Sequence, residues 1–480
     1  MNDESIWQCL VRFFLLSGLS SLALGIGVQP ILAQRQSANK TRPAMLEDVP
    51  SLLREAALLL QAGKLDDAEP LVRRVVAAAP SNADAHNLFG AILDQRGQTQ
   101  AAEHEYLAAL RLNPRITSAR ANLGILLART GRTEAAVEAF EAVLRDSPDH
   151  PQATLNLALL YSARGDYSRA VPLLERARAE QPDNLTVLSQ LGFALYQLKR
   201  VNEAAEVLAS AGSLAPTDPD LLYLSGLVAT LRGDHEAAVD FWQRTLAQRP
   251  DFAAANFMIG EELRKQRRYE GAAEFYQRAL TQDAAQLVYY VRLGGTYMLL
   301  VRYDRALEIF QRAVQGFPGS AEAQYFVGIA ARGLGNLDVA EAALRKSLGL
   351  REDNVDALAQ LGFVLGDRGR DAEGEKFLRR AVARDPRHFF ANYDLGRLLV
   401  RTRRYDEAIA ALVIASQIRA RDPGVHYQLF LVYTRLKRKD DADRELVIFK
   451  QYDAENKARR AQEDEQLEDS LPRSASDRKP

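Results

Sequence analysis

One spacing governs this sequence. A glycine or another small residue returns every 34 positions, at Ala56, Gly90, Gly124, Ala158, Gly192, Gly226, Gly260, Gly294, Gly328, Gly362 and Gly396, and Phe430 takes the twelfth place. No insertion or deletion interrupts the series. Twelve residues beyond each of these stands alanine, from Ala68 to Ala442, with Gly374 as the exception. Four residues further on, every position is aliphatic or aromatic: Val72, Tyr106, Phe140, Leu174, Leu208, Trp242, Tyr276, Phe310, Leu344, Leu378, Leu412 and Leu446. Proline closes eight of the twelve units, at Pro80, Pro114, Pro148, Pro182, Pro216, Pro250, Pro318 and Pro386.

A glycine inside a helix is unfavourable by about 1 kcal/mol relative to alanine, so its regular return needs a structural cause. Each unit holds two stretches of helical apolar periodicity joined by a turn, often marked by glycine as at Gly97, Gly131, Gly165 and Gly233. Small side chains at the glycine and alanine phases let the two helices approach to roughly the 8–10 Å of ordinary helix packing or closer. The aliphatic or aromatic phase fills the wedge beside that contact. Proline, lacking an N–H, ends the second helix and opens the next unit. At 480 residues the chain exceeds one compact domain, and an array of such units accounts for its length.

The unit "SARANLGILLARTGRTEAAVEAFEAVLRDSP" carries Leu-Gly, Gly, Ala, an aromatic, Ala and Pro in the order of the tetratricopeptide repeat (TPR). The chain resembles that family over residues 49–456, in twelve units running from 49–82 to 423–456. The resemblance implies an all-α fold, an α-solenoid superhelix of about twelve 34-residue helix–turn–helix repeats. Phe430 and Phe449 place bulk where small residues normally sit, which marks 423–456 as a terminal cap. Residues 457–480 continue as a charged helical extension and a disordered tail.

In proteins of this kind the first helices line a concave groove that receives an extended or helical peptide. Carried onto this sequence, the groove phases bring Tyr223, Phe257, Tyr325, Tyr393 and Tyr427 into one row and Phe193, Phe363 and Arg397 into the next. Arg264, Lys265, Arg332 and Arg401 add positive charge. The implied function is a non-enzymatic scaffold for a protein or peptide partner. Analogy with exported proteins of the same kind offers the alternative of a structural subunit in an envelope or exopolysaccharide export complex.

Charge and motifs narrow the field further. Lys plus Arg total 62 against 63 Asp plus Glu, so the chain has no global electrostatic footprint for nucleic acid. The basic runs 264–268, 401–404 and 435–439 share one phase, the end of a first helix, where the helix dipole favours cations. "HEYLA" at His104 and "HEAAV" at His235 lack the second histidine of a zinc-binding helix. "GLGNLD" at 333–338 lacks the third glycine and the preceding strand of a dinucleotide loop. No phosphate-binding loop or nucleophile elbow is present. The single cysteine, Cys9, excludes a disulfide within the chain. No catalytic residue, cofactor or metal is therefore expected.

The first 33 residues stand apart. Phe13 to Val28 is uniformly apolar or small, shorter than the roughly 20 residues of a spanning helix, and Ala33 offers a cleavage point. This pattern predicts a secretory signal, and hence a periplasmic or secreted protein. The alternative is an uncleaved anchor over residues 13–28. A polar linker, 34–48, follows.

Overall fold

The structure, a computed structural model, describes residues 48–470. The signal or anchor, nearly all of the linker, and the last ten residues of the tail lie outside the described residues. Every described element is helical. First helices have 13 residues and second helices 14, except that Pro219–Arg232 has 14 and the last helix 32, and the helices divide after Ala255 into two compact units.

The first unit contains α1 (Val49–Gln61), α2 (Leu65–Ala78), α3 (Ala83–Gln95), α4 (Thr99–Leu112), α5 (Thr117–Arg129) and α6 (Thr133–Asp146). It continues with α7 (Pro151–Ala163), α8 (Tyr167–Glu180), α9 (Leu185–Gln197), α10 (Val201–Leu214), α11 (Pro219–Arg232) and α12 (His235–Gln248). Helix α13 (Ala253–Lys265) carries the division and opens the second unit. There follow α14 (Tyr269–Gln282), α15 (Leu287–Leu299), α16 (Tyr303–Gly316), α17 (Ala321–Gly333), α18 (Leu337–Leu350) and α19 (Val355–Asp367). The unit closes with α20 (Asp371–Arg384), α21 (Phe389–Arg401), α22 (Tyr405–Ile418), α23 (Pro423–Arg435) and α24 (Lys439–Ser470). Residues 457–470 thus extend the last helix without a break.

The glycine phase has a more specific cause than mutual helix approach. A Cβ added at Gly192 would stand 2.6 Å from Leu208 Cδ2, and one at Gly124 would stand 2.9 Å from Phe140. The same holds at Gly90 with Tyr106, Gly260 with Tyr276 and Gly396 with Leu412. Each glycine is the socket for the aliphatic or aromatic side chain sixteen residues later. These plugs (Tyr106, Phe140, Trp242, Tyr276 and Phe310 among them) are almost fully buried. In the α19–α20 pair the alanine of the other pairs is Gly374, whose hypothetical Cβ would lie 2.8 Å from the Gly362 carbonyl oxygen. There the two backbones themselves meet.

Side chains cap many first helices, as where Asn82, Asn184, Ser320 and Asn354 each accept a hydrogen bond from a backbone N–H three residues on. In several hairpins an arginine after the turn ties its pair to the one before it: Arg132 to Glu103 at 2.7 Å in the first unit, Arg404 to Glu375 at 2.7 Å in the second. Within each unit the first helices of successive pairs also touch one another, α3 with α5 and α19 with α21, whereas successive second helices make no comparable contact. The first helices therefore form the inner, more crowded side of each unit.

Candidate functional site

The residues expected along the groove fall into three groups. Phe193, Tyr223 and Phe257 are core residues, which corrects the expectation of an open aromatic row: they are 3%, 0% and 2% exposed. Tyr167 meets the edge of the Phe193 ring, with centroids 5.8 Å apart. Phe252 covers Tyr223 in the same way at 5.0 Å. Phe257 is wedged between Tyr276 and Tyr289, at 5.5 and 4.9 Å. A ligand in the groove does not reach these rings.

Arg264 and Lys265 are engaged by carboxylates of their own helix. Arg264 pairs with Glu261 at 3.3 Å, and Lys265 pairs with the buried Glu262 at 2.7 Å. Glu261 also receives Arg292 of α15 at 2.9 Å and the Tyr276 hydroxyl. This corner is a neutralised network. Tyr427, 41% exposed, lies apart on α23 against Phe430 and Phe449.

The third group converges. Tyr325 and Arg332 on α17, Phe363 on α19, and Tyr393 and Arg397 on α21 are all half-buried on the first-helix side of the second unit. The Arg332 guanidinium lies over the Phe363 ring at 5.0 Å, and that of Arg397 lies over the same ring at 5.5 Å. Arg397 also lies over Tyr393 at 5.8 Å, whose ring stacks on Phe389. Cations held on aromatic faces keep their charge. Burial pushes the Tyr325 hydroxyl up to about 12, so it stays a hydrogen-bond donor across the physiological range. Arg401, exposed at the edge of the group, is paired with Asp371.

Beneath the arginines lies Asp394, 8% exposed, with Arg397 3.5 Å away. Burial pushes its carboxyl up to about 6, against the opposing pull of Arg397 and Arg332, and Asp367 adds to the rise. A recess of 250 Å³ opens beside it, walled by Gly362, Gly366, Leu378 and Leu398 and edged by Gln428. Gly366 of α19 lines the recess, and a Cβ there would stand 3.0 Å from the Arg401 guanidinium and 3.5 Å from Leu398 of α21. Phe363 and Asp394 complete the strip. Phe363 sits in the row of Arg397, while Asp394 shares its phase with Asn122, Asn156, Gln190 and Gln360, all buried polar residues.

In the first unit this face carries amides beside the apolar Ile125 and Leu159. Asn122 Nδ2 donates to Asn87 Oδ1 at 3.1 Å, and Asn87 Nδ2 donates to the Ser118 hydroxyl at 3.1 Å. Among the described residues no three His, Cys, Asp or Glu side chains are grouped to hold a metal ion.

Two family models, both described as tetratricopeptide repeat, match the chain, one at 161–227 and the other at 53–115, 90–151, 223–286, 300–357 and 360–424. No curated protein matches it significantly. Among solved structures it is similar to the APC/C hetero-tetramer Cut9–Hcn1, at 14% identity over 85% of this chain and 94% of that one, with a TM-score of 0.41. It is also similar to yeast Tom70, at 13% identity over 85% and 96%, TM-score 0.35. YrrB, titled a TPR protein with an unusual peptide-binding site, is 21% identical over 39% of this chain and 96% of that one, TM-score 0.32.

Proposed function

Because the chain belongs to the tetratricopeptide repeat family, we propose that it is a non-enzymatic scaffold which binds a protein partner through a peptide segment on the first-helix side of its second unit. The observation that carries this reading is the Arg332–Phe363–Arg397–Tyr393 strip. Packing alone calls for apolar contacts in that row, as Ile125 and Leu159 supply in the first unit. Here the row instead holds guanidinium groups and aromatic faces half open to solvent, the residue types enriched where proteins meet. The partner's peptide lies across α17, α19 and α21, with one side chain entering the recess beside Asp394.

Affinity capture with the full chain and with an Arg332→Ala/Arg397→Ala variant tests this. The partner should be retained by the first and lost by the second at unchanged helicity. Equal retention would place the binding surface elsewhere.

The apolar segment 13–28 further supports a site of action outside the cytoplasm, reached by export. Deleting residues 1–33 should abolish export, and unchanged localisation would contradict that part of the proposal.

A further inference from the structure

The turns between paired helices obey one rule with one exception. The residue in left-handed backbone is glycine at Gly63, Gly97, Gly131, Gly165, Gly233, Gly335 and Gly369. Elsewhere it is a long cationic residue, Lys199, Arg267, Arg403 or Lys437. The exception is Val301, at φ 58°. A β-branched side chain is the type least suited to this conformation. Val301 is also 71% exposed, and Leu299 two residues earlier is 54% exposed. Met298 and Leu300 complete four successive apolar residues in a turn that elsewhere reads "ARTGR" (128–132) or "GDRGR" (366–370). Neither the strain nor the exposure stabilises the folded chain, and retained strain of this sort collects at functional positions.

The neighbours of this turn extend the feature. Arg302 approaches Glu270 at 3.9 Å, which sets the turn beside Arg267 and Arg268, both exposed. On the other side the Tyr303 ring packs where Gly333 has no side chain, so the next turn, with Leu334 46% exposed, lies alongside. Exposed Arg267, Arg268, Arg302 and Arg305 lie on this edge, interleaved with the exposed carboxylates Glu270, Asp304 and Asp338. The apolar residues form a projecting tip with cations beside it. A tip of this form suits insertion at the level of lipid headgroups, and the cations suit anionic phosphates.

We propose that this edge of the second unit is a membrane-contact surface, on which Leu299, Val301 and Leu334 enter the headgroup region of an anionic bilayer and Arg267, Arg268 and Arg302 meet lipid phosphates. The contact is peripheral, since no described helix is long and apolar enough to cross a membrane. It uses none of the Arg332–Phe363–Arg397 strip, so either proposal can fail without the other.

A local probe tests it in the full chain. Cys9→Ser removes the only native thiol, and Val301→Cys then carries an environment-sensitive NBD label. Vesicles of phosphatidylcholine with about one-third phosphatidylglycerol should shift its emission to the blue, less so at high salt. Adding Leu299→Asn should weaken the lipid response about fivefold. The same label at Arg403→Cys, a turn without the apolar residues, should not respond. No shift at position 301, or an equal shift at 403, would overturn the proposal. An equal response to pure phosphatidylcholine would overturn the anionic assignment. A shift produced only by lipid-free soluble protein would replace the bilayer with a protein socket. In a separate variant, Val301→Asn should melt no lower than the native chain, because asparagine tolerates left-handed backbone. A clear drop would contradict the strain on which the proposal rests.

Discussion

Replacing Gly192 by alanine is the sharpest probe of how the helix pairs are held. Helix propensity alone predicts a gain of about 1 kcal/mol for this change. The structure predicts the opposite sign, because the new Cβ would lie 2.6 Å from Leu208 Cδ2 and 2.8 Å from Leu208 Cγ. Leu208 is buried against α9 and has little room to move. Overpacking of this kind is unfavourable by about 1–3 kcal/mol. After the propensity gain, a net loss of up to roughly 2 kcal/mol remains. Gly212 on α10 supplies an internal control, since a Cβ there meets nothing within 4 Å. Gly212→Ala should therefore stabilise by about 1 kcal/mol. A double-mutant cycle of Gly192→Ala with Leu208→Ala should show a favourable coupling of about 1–2 kcal/mol, as the new methyl occupies space the leucine vacates. Repeat arrays need not unfold in one step, so the assay is native-state amide hydrogen exchange in α9 and α10, supported by thermal melting. Equal stabilisation by Gly192→Ala and Gly212→Ala would refute the socket explanation of the 34-residue pattern.

Other outcomes follow from the same structure. Asp394 holds its proton more tightly folded than unfolded, where its pKa is near 3.8, so its contribution to stability declines as pH rises from about 4 through about 6. Asp394→Asn should flatten that pH dependence and raise stability at neutral pH by at most roughly 2–3 kcal/mol. Urea titrations at pH 4.5 and 7.5 check this, and an unchanged slope would contradict it. Trp242→Leu should be nearly tolerated by its pair, because leucine occupies that phase opposite Gly192, Gly328, Gly362 and Gly396. A cost of more than about 3 kcal/mol would show that the Nε1–H donated to the Tyr223 carbonyl at 3.2 Å matters more than packing. Asn87→Ala breaks the amide chain to Asn122 and Ser118 and should cost about 1 kcal/mol in the first unit alone, read by exchange in α3 and α5.

The fold was legible because its determinants are local and periodic. The glycine phase, the plug sixteen residues later and the closing proline each follow from one unit, and twelve copies remove ambiguity. The site was legible only in part. Periodicity tells which side of a helix a residue takes, but not how deeply its neighbours cover it. Tyr223 and Tyr393 share a phase, yet Phe252 closes over the first while the second stays half open. Phe257 disappears beneath Tyr289 for the same reason. Lys265 looked available as a cation, but buried Glu262, in a phase that is otherwise mostly apolar, holds it. Asp394 left a trace in the sequence as a carboxylate in a phase where Asn122, Asn156, Gln190 and Gln360 are buried amides. Its pairing with Arg397 follows from i,i+3 spacing on one helix, but its proximity to Arg332 required the placement of a second helix. Val301 was visible as a valine, but its left-handed backbone was not.

The central functional claim is that a partner lies on the first-helix side of α17, α19 and α21. Photo-crosslinking from single positions in the producing cell tests it most directly, with a benzophenone amino acid at position 363 on that side or at exposed position 376 on α20. A discrete protein adduct from 363 that disappears with Arg332→Ala/Arg397→Ala, and is absent from 376, is the predicted result. Adducts from 376 alone, or adducts from 363 indifferent to the two arginines, would contradict it.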